Sequence, residues 1–202
     1  VALGFDKLEG YLTNPPHFGG TIGRNANRIA GGEFQLNGTF YQLEKNNHGN
    51  CLHSGKKGYD TRLWKLLSQD RHSVSLGLTS PDMDQGFPGE FQVSAIYSLN
   101  DEGVLEIFYE GSSDQDTLVN MTNHSYFNLN GEDSGTTVLS HVACFHADAY
   151  TPVSDEKAIP RGTIESVEGT PFDFRTPMRI GDRIDEDFPQ LNYCGGYDHN
   201  YV

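Results

Sequence analysis

The chain has 202 residues, with 14 Lys and Arg against 28 Asp and Glu, and a formal net charge of −14. So acidic a protein repels nucleic acid and anionic membrane surfaces, and no apolar run reaches the roughly 20 residues that a bilayer-spanning helix needs. Three widely spaced cysteines, Cys51, Cys144 and Cys194, are too few and too odd in number for a disulfide framework.

Val1 opens on VALGF, which reads as a strand already under way, and the chain stops at HNYV, also strand-like. Unpaired strand edges are a liability for a finished domain, so a piece of a longer chain is expected. A short helical turn is expected at Asp6–Leu12. Strands are expected at Val74–Leu78 and at Phe91–Leu99, where Phe91, Val93, Ala95, Tyr97 and Leu99 alternate with polar residues. Leu105, Ile107 and Tyr109 repeat that pattern after Asn100-Asp101-Glu102-Gly103, a hairpin signal in which glycine supplies the positive φ. Further strands are expected at Leu118–Leu129, Val138–Tyr150 and Gly162–Val167, and a second helical turn at Met178–Asp185 after Pro177. Many strands, 23 glycines and 9 prolines mostly between them, and no long amphipathic helix describe one all-β, antiparallel domain over residues 1–202.

Four polar segments carry the chemistry. In Gly19–Gly32 (GGTIGRNANRIAGG) the glycines are out of order for either phosphate-loop signature. Arg24 and Arg28, interleaved with Asn25 and Asn27, would point polar groups into a cleft, and the Arg28 guanidinium is a rigid fork of donors suited to hydroxyls. The bland alternative is an arginine paired with one of the many acids. His53, in LHSG, has a plain alternative as a loop histidine. His124, in LVNMTNHSYFNLNG (Leu118–Gly131), shares a strand face with Thr122 and Tyr126, and histidine as a residue type can both give and take a proton. The alternative is a hydrogen-bonded core histidine. Asp198, in GGYDHNYV, follows two glycines that let the backbone approach a ligand, or else closes its own Asx-turn. Tyr59 and Trp64 offer an aromatic sugar platform or, more plainly, core packing. An acid, several donors and a carboxylate suit a neutral, hydroxyl-rich ligand such as a sugar. No His/Cys spacing fits zinc, so no metal is expected. Sequons at Asn37, Asn120 and Asn123 are not expected to carry glycans, since no secretory leader opens the sequence. A cytoplasmic protein with reduced thiols is the expectation.

Taken together these segments resemble the aldose 1-epimerase, or galactose mutarotase, family. The matching stretches are GFDKLEGYL (Gly4–Leu12), FGGTIGRNANRIAGGEFQLNG (Phe18–Gly38), LHSGKKGYDTRLW (Leu52–Trp64), SPDMDQGFPGE (Ser80–Glu90), TNHSYFNLNG (Thr122–Gly131) and GGYDHNYV (Gly195–Val202), in family order. The resemblance implies a galactose-mutarotase-like β-sandwich and a free aldose as substrate, with no cofactor, no nucleic acid or membrane partner, and a monomer or homodimer. It implies that His124 is the general acid, that His53 contacts the sugar near the reacting centre, and that Arg28, with Asn27 beside it, and Asp198 bind hydroxyls. Ser54 stands where the family's LHGG motif has glycine, a departure that matters if positive φ is required there. The family's general base, a glutamate well after the DHN motif, would lie beyond Val202, so these residues by themselves are expected to be inactive. The other readings are a non-catalytic sugar-binding module and a hexose-6-phosphate epimerase of the same fold, the latter disfavoured by the net acidity.

Overall fold

The computed structural model describes residues 1–202 as two compact units, Gly4–Tyr126 and Val1–Leu3 with Phe127–Val202. In the first, α1 (Leu8–Thr13) precedes β1 (Thr21–Ile22), β2 (Arg28–Ile29), β3 (Glu33–Leu36), β4 (Thr39–Gln42) and β5 (Cys51–Leu52). Then come β6 (Lys65–Gln69), β7 (Ser73–Ser80), β8 (Phe91–Leu99), β9 (Leu105–Ser113) and β10 (Thr122–Asn123). All pairings between these strands are antiparallel, and Asn25 makes an isolated parallel bridge to Asn120. β6-β7-β8-β9 form one sheet in chain order, and β1–β10, β2–β5 and β3–β4 are separate pairs.

Alternation on β8 works as the pattern predicts from Phe91 to Ala95 and fades toward the hairpin, where Leu99 is 52% exposed. Phe91, Val93 and Ala95 are buried while Gln92 is exposed. Phe91 and Val93 pack with Tyr59, against which Trp64, Leu78 and Met121 lie. Full burial of such a side chain is worth about 1.5–3 kcal/mol, enough to hold the register with β7, in which Leu78 faces Val93 and Leu76 faces Ala95. The hairpin turn is closed by its asparagine. Asn100 Oδ1 accepts from the N–H of Glu102 (3.1 Å) and of Val104 (2.9 Å), and Gly103 takes φ 80°. Tyr59 is wholly buried and Trp64 donates Nε1–H to its carbonyl (3.0 Å), so this pair packs the core and offers no open ring face from Tyr59 to a ligand.

Arg24 departs from the expectation that it faces a cleft. Its side chain is completely buried. Nη1 donates to the carbonyls of Pro88 (2.7 Å) and Gly89 (2.9 Å) and to the Thr117 hydroxyl (3.1 Å). Nη2 donates to Ser80 Oγ (2.8 Å) and more weakly to the Ser80 carbonyl, and Nε donates to the Tyr59 hydroxyl (3.3 Å). The guanidinium also lies 5.5 Å from the Phe91 ring centre. The Ser80 hydroxyl in turn donates to Asp84, which Arg62 holds with a two-pronged ion pair at 2.6 and 2.8 Å. A buried charge is tolerable only when its donors are met, and here every donor atom finds an oxygen.

The second unit contains β11 (Val142–Ala143), β12 (Ala149–Tyr150), β13 (Glu165–Ser166), β14 (Met178–Arg179) and α2 (Pro189–Cys194), with β11–β14 and β12–β13 paired antiparallel. Its core is aromatic. Tyr150 stacks on Phe172 at 4.7 Å and 6°, with Val167 and Leu191 buried beside them. From α2, Gln190 is buried and ties down Val153 by accepting from its N–H (2.7 Å) and donating to its carbonyl (3.1 Å).

Four expected elements are corrected. Leu118–Leu129 is a strand only at Thr122–Asn123, because the backbone on either side bonds to loops and not to a ladder. Val138–Tyr150 breaks into a 3₁₀ turn and two short strands, and Gly162–Val167 is extended only at Glu165–Ser166. Met178–Asp185 is no helix. Met178–Arg179 pairs with β11, followed by a single 3₁₀ turn at Ile180–Asp182. The helix lies further on, at α2, with Pro189 at its start and Gly195 left-handed at its end (φ 67°). No helix is long and apolar enough to cross a membrane.

Candidate active site

His53 sits at the end of β5, in a turn where three successive residues are left-handed: His53 (φ 52°), Ser54 (φ 67°) and Gly55 (φ 94°). Across the β2–β5 pair, Asn27 is left-handed as well (φ 61°). Such backbone is disfavoured for residues bearing a Cβ and persists only where the surroundings impose it. The surroundings are visible. The His53 N–H donates to the Asn27 carbonyl (3.0 Å), and the Asn27 N–H donates to His53 Nδ1 (3.1 Å). The Ser54 hydroxyl is buried, accepts from the Asn25 N–H (2.8 Å) and donates to the Asn25 carbonyl (3.1 Å). The turn therefore does require positive φ at the position where the family motif has glycine. Serine tolerates it here because its hydroxyl satisfies both backbone groups of a facing residue.

Since Nδ1 of His53 accepts, the ring's proton sits on Nε2. Burial, followed by the neighbouring rings of His17 and His124, pushes the His53 pKa down to about 4. The ring is therefore neutral at pH 7 and works as a fixed N–H donor, not as a proton carrier. The folded state resists protonating His53 whereas an unfolded chain, with a pKa near 6.5, does not. Its contribution to stability is complete above pH 6.5 and is lost as the pH falls toward 4. Urea midpoints should drop across that window, and His53→Gln should flatten the drop. An unchanged pH dependence in the variant would refute this assignment.

His124 follows β10 and is half-buried. Its N–H donates to the Gly20 carbonyl (2.9 Å) and its carbonyl accepts from the Gly19 N–H (3.3 Å), which fixes the residue against the start of β1. Its ring centre is 5.4 Å from His53 and 5.1 Å from Tyr126. Arg28, on β2, pairs with no carboxylate. Its Nε donates to Asn47 Oδ1 (3.1 Å) and Nη1 approaches Asn27 Oδ1 (3.5 Å), so much of the fork is uncommitted. His53, His124, Asn27 and Arg28 are thus brought together within the first unit. Asp198 belongs to the second, on the exposed loop after α2, where its N–H donates to His199 Nδ1 (3.3 Å). His199 itself packs edge-on against Phe172 at 4.7 Å, with Nε2 3.1 Å from Gln190 Oε1.

Two residues escape the sequence reading. His17, after Pro15 and Pro16, places its ring 5.3 Å from His53 and 5.5 Å from His124. Its Nδ1 lies 2.7 Å from Oδ2 of Asp60, whose side chain is 5% exposed. No spacing rule links positions 43 residues apart. A histidine just ahead of the glycine-rich FGG segment, and an aspartate in the same stretch as the LHSG histidine, were the only traces.

The first unit thus clusters three imidazoles beside an arginine that pairs with no carboxylate. Comparison with known proteins supplies the family. The family model described as aldose 1-epimerase matches residues 1–202, and the chain belongs to that family. It is 46% identical over its whole length to the galactose mutarotase of Bos taurus, of which it covers 56%. It is 40% identical over 99% of its length to the aldose 1-epimerase of Escherichia coli K12, covering 57% of that protein. The chain therefore spans a little over half the length of these relatives. Among solved structures, a galactose 1-epimerase from Lactobacillus acidophilus NCFM matches the whole chain with a TM-score of 0.88 at 34% identity, with 59% of that protein covered. An aldose epimerase homologue from C. elegans matches equally well at 32% identity. The fold is of the galactose mutarotase-like type.

Proposed function

We propose that the protein bearing this chain interconverts the α and β anomers of free hexoses such as galactose and glucose. The reading rests on one observation above others: of two imidazoles 5.4 Å apart, His53 is kept neutral by its burial and has Nδ1 occupied by the Asn27 N–H, which leaves proton transfer to His124. Two like groups whose environments separate their roles are the mark of an acid–base site.

In the step we propose, protonated His124 gives its proton to the ring oxygen as the C1–O5 bond breaks. The C1 hydroxyl loses its proton to a base and becomes the aldehyde. After rotation about C1–C2, O5 attacks the other carbonyl face, O1 regains a proton, and O5 returns its own to His124. No electron leaves the sugar, so no redox group is needed. His53 donates Nε2–H to the C1 oxygen as charge gathers there. Arg28 with Asn27 holds ring hydroxyls, and the family resemblance alone gives Asp198, in the second unit, a hydroxyl contact. The resemblance assigns the base to a glutamate outside these 202 residues, and on that reading the isolated residues bind sugar without turning it over. Cys51, Cys144 and Cys194 are joined by no disulfide, which supports a cytoplasmic setting.

Polarimetry of freshly dissolved α-galactose with the full-length protein tests the proposal. The rotation should reach equilibrium many times faster than in buffer. Relaxation at the buffer rate, at any enzyme concentration, would reject it.

A further inference from the structure

The scheme above gives His17 no task, yet the fold spends a buried carboxylate on it. Asp60 stands almost wholly out of water with His17 Nδ1 2.7 Å away. A carboxylate in that setting holds a proton on the nitrogen facing it. That bond takes up Nδ1 and leaves Nε2 on the far side of the ring, and the side chain is 33% exposed. The three ring centres of His17, His53 and His124 form a nearly equilateral triangle with sides of 5.3, 5.4 and 5.5 Å. His17 is also left-handed (φ 58°), as are Asn27 and His53. A ligand that reaches two of these rings meets the third.

We infer that His17 is a further sugar-contacting residue, its ring oriented by Asp60 through Nδ1 so that Nε2 exchanges a hydrogen bond with a hydroxyl of the hexose held by His53 and His124. This rests on the sugar-binding part of the proposed function and not on the catalytic part. A neutral imidazole anchored at Nδ1 accepts at Nε2, and a hydroxyl is the complementary group because it can donate there while accepting elsewhere. Asp60 acts through His17 and is a positioning residue.

Two near-isosteric variants separate this role from a merely structural one. A glutamine amide reaches the place of Nε2 and an asparagine amide the place of Nδ1. If Nε2 meets the sugar, His17→Gln in the full-length protein keeps the KM for galactose within about threefold of wild type, while His17→Asn raises it about tenfold, the size of one lost hydrogen bond. If His17 only answers the Asp60 charge, the order reverses and asparagine is the better tolerated in both KM and Tm. That order, or an unchanged KM in both variants, overturns the inference. A readout free of turnover uses wild-type protein labelled with nitrogen-15 at histidine. Saturating galactose should move the His17 Nε2 resonance. A shift at His53 or His124 with none at His17 would sink the inference, and no shift at any of the three would sink the sugar reading and this inference together. A His17 shift in a protein that does not speed mutarotation would leave this inference standing and reject only the catalytic proposal.

Discussion

His124→Ala should lower kcat for mutarotation by roughly 10²–10⁴, the usual worth of a positioned general acid, with little change in KM. Proton delivery to the ring oxygen happens in the transition state, so its loss falls on kcat and kcat/KM alike. The fold should barely notice. What fastens this residue to β1 is its backbone, through Gly19 and Gly20, and alanine keeps both bonds. His53→Gln makes the contrast. A glutamine can still donate toward the C1 oxygen, so its kcat should fall less than that of His124→Ala. Rates measured by polarimetry, with Tm alongside, check both. A His124→Ala enzyme within a few-fold of wild type would hand the acid role to another group.

Arg24→Met should be the most damaging single change to stability. Methionine fills much of the same apolar channel beside Phe87 and Phe91, but it cannot meet the carbonyls of Ser80, Pro88 and Gly89. Each buried polar group left without a partner costs about 1–3 kcal/mol, so the total should exceed ~3 kcal/mol. For a protein of this size Tm falls roughly 2–4 °C per kcal/mol. Removing Arg24 also loosens the Ser80–Asp84–Arg62 chain that continues from it. Arg28→Met provides the control. That arginine holds only Asn27 and Asn47, so its loss should raise KM and leave Tm nearly unchanged. Equal Tm values for the two variants would contradict the division drawn between them.

That division was invisible in the sequence. Arg24 and Arg28 sit four apart in one motif, and arginine is rarely buried without a carboxylate. The difference is made by oxygens 56 to 93 residues away. The β8–β9 hairpin was legible because β8 buries alternate residues, which the sequence pattern records directly, and because Asn100 and Gly103 mark the turn. The segment around His124 misled for the opposite reason. Its β-branched and aromatic residues favour a strand, but β1 gives it only a two-residue ladder before the chain turns. Motifs identified His53, His124, Asn27 and Arg28, and the structure gathers them in one unit. His17 and Asp60 lacked a motif, because the feature that matters is a through-space pair. The second helix could have been read from Pro189 and Gly195 at its two ends.

The most direct test is a crystal structure of the full-length protein with galactose bound. The account predicts the ring oxygen within about 2.6–3.2 Å of a His124 ring nitrogen, and the C1 oxygen on the side of His53. A ring oxygen turned away from His124, or bonded to another residue, would contradict it.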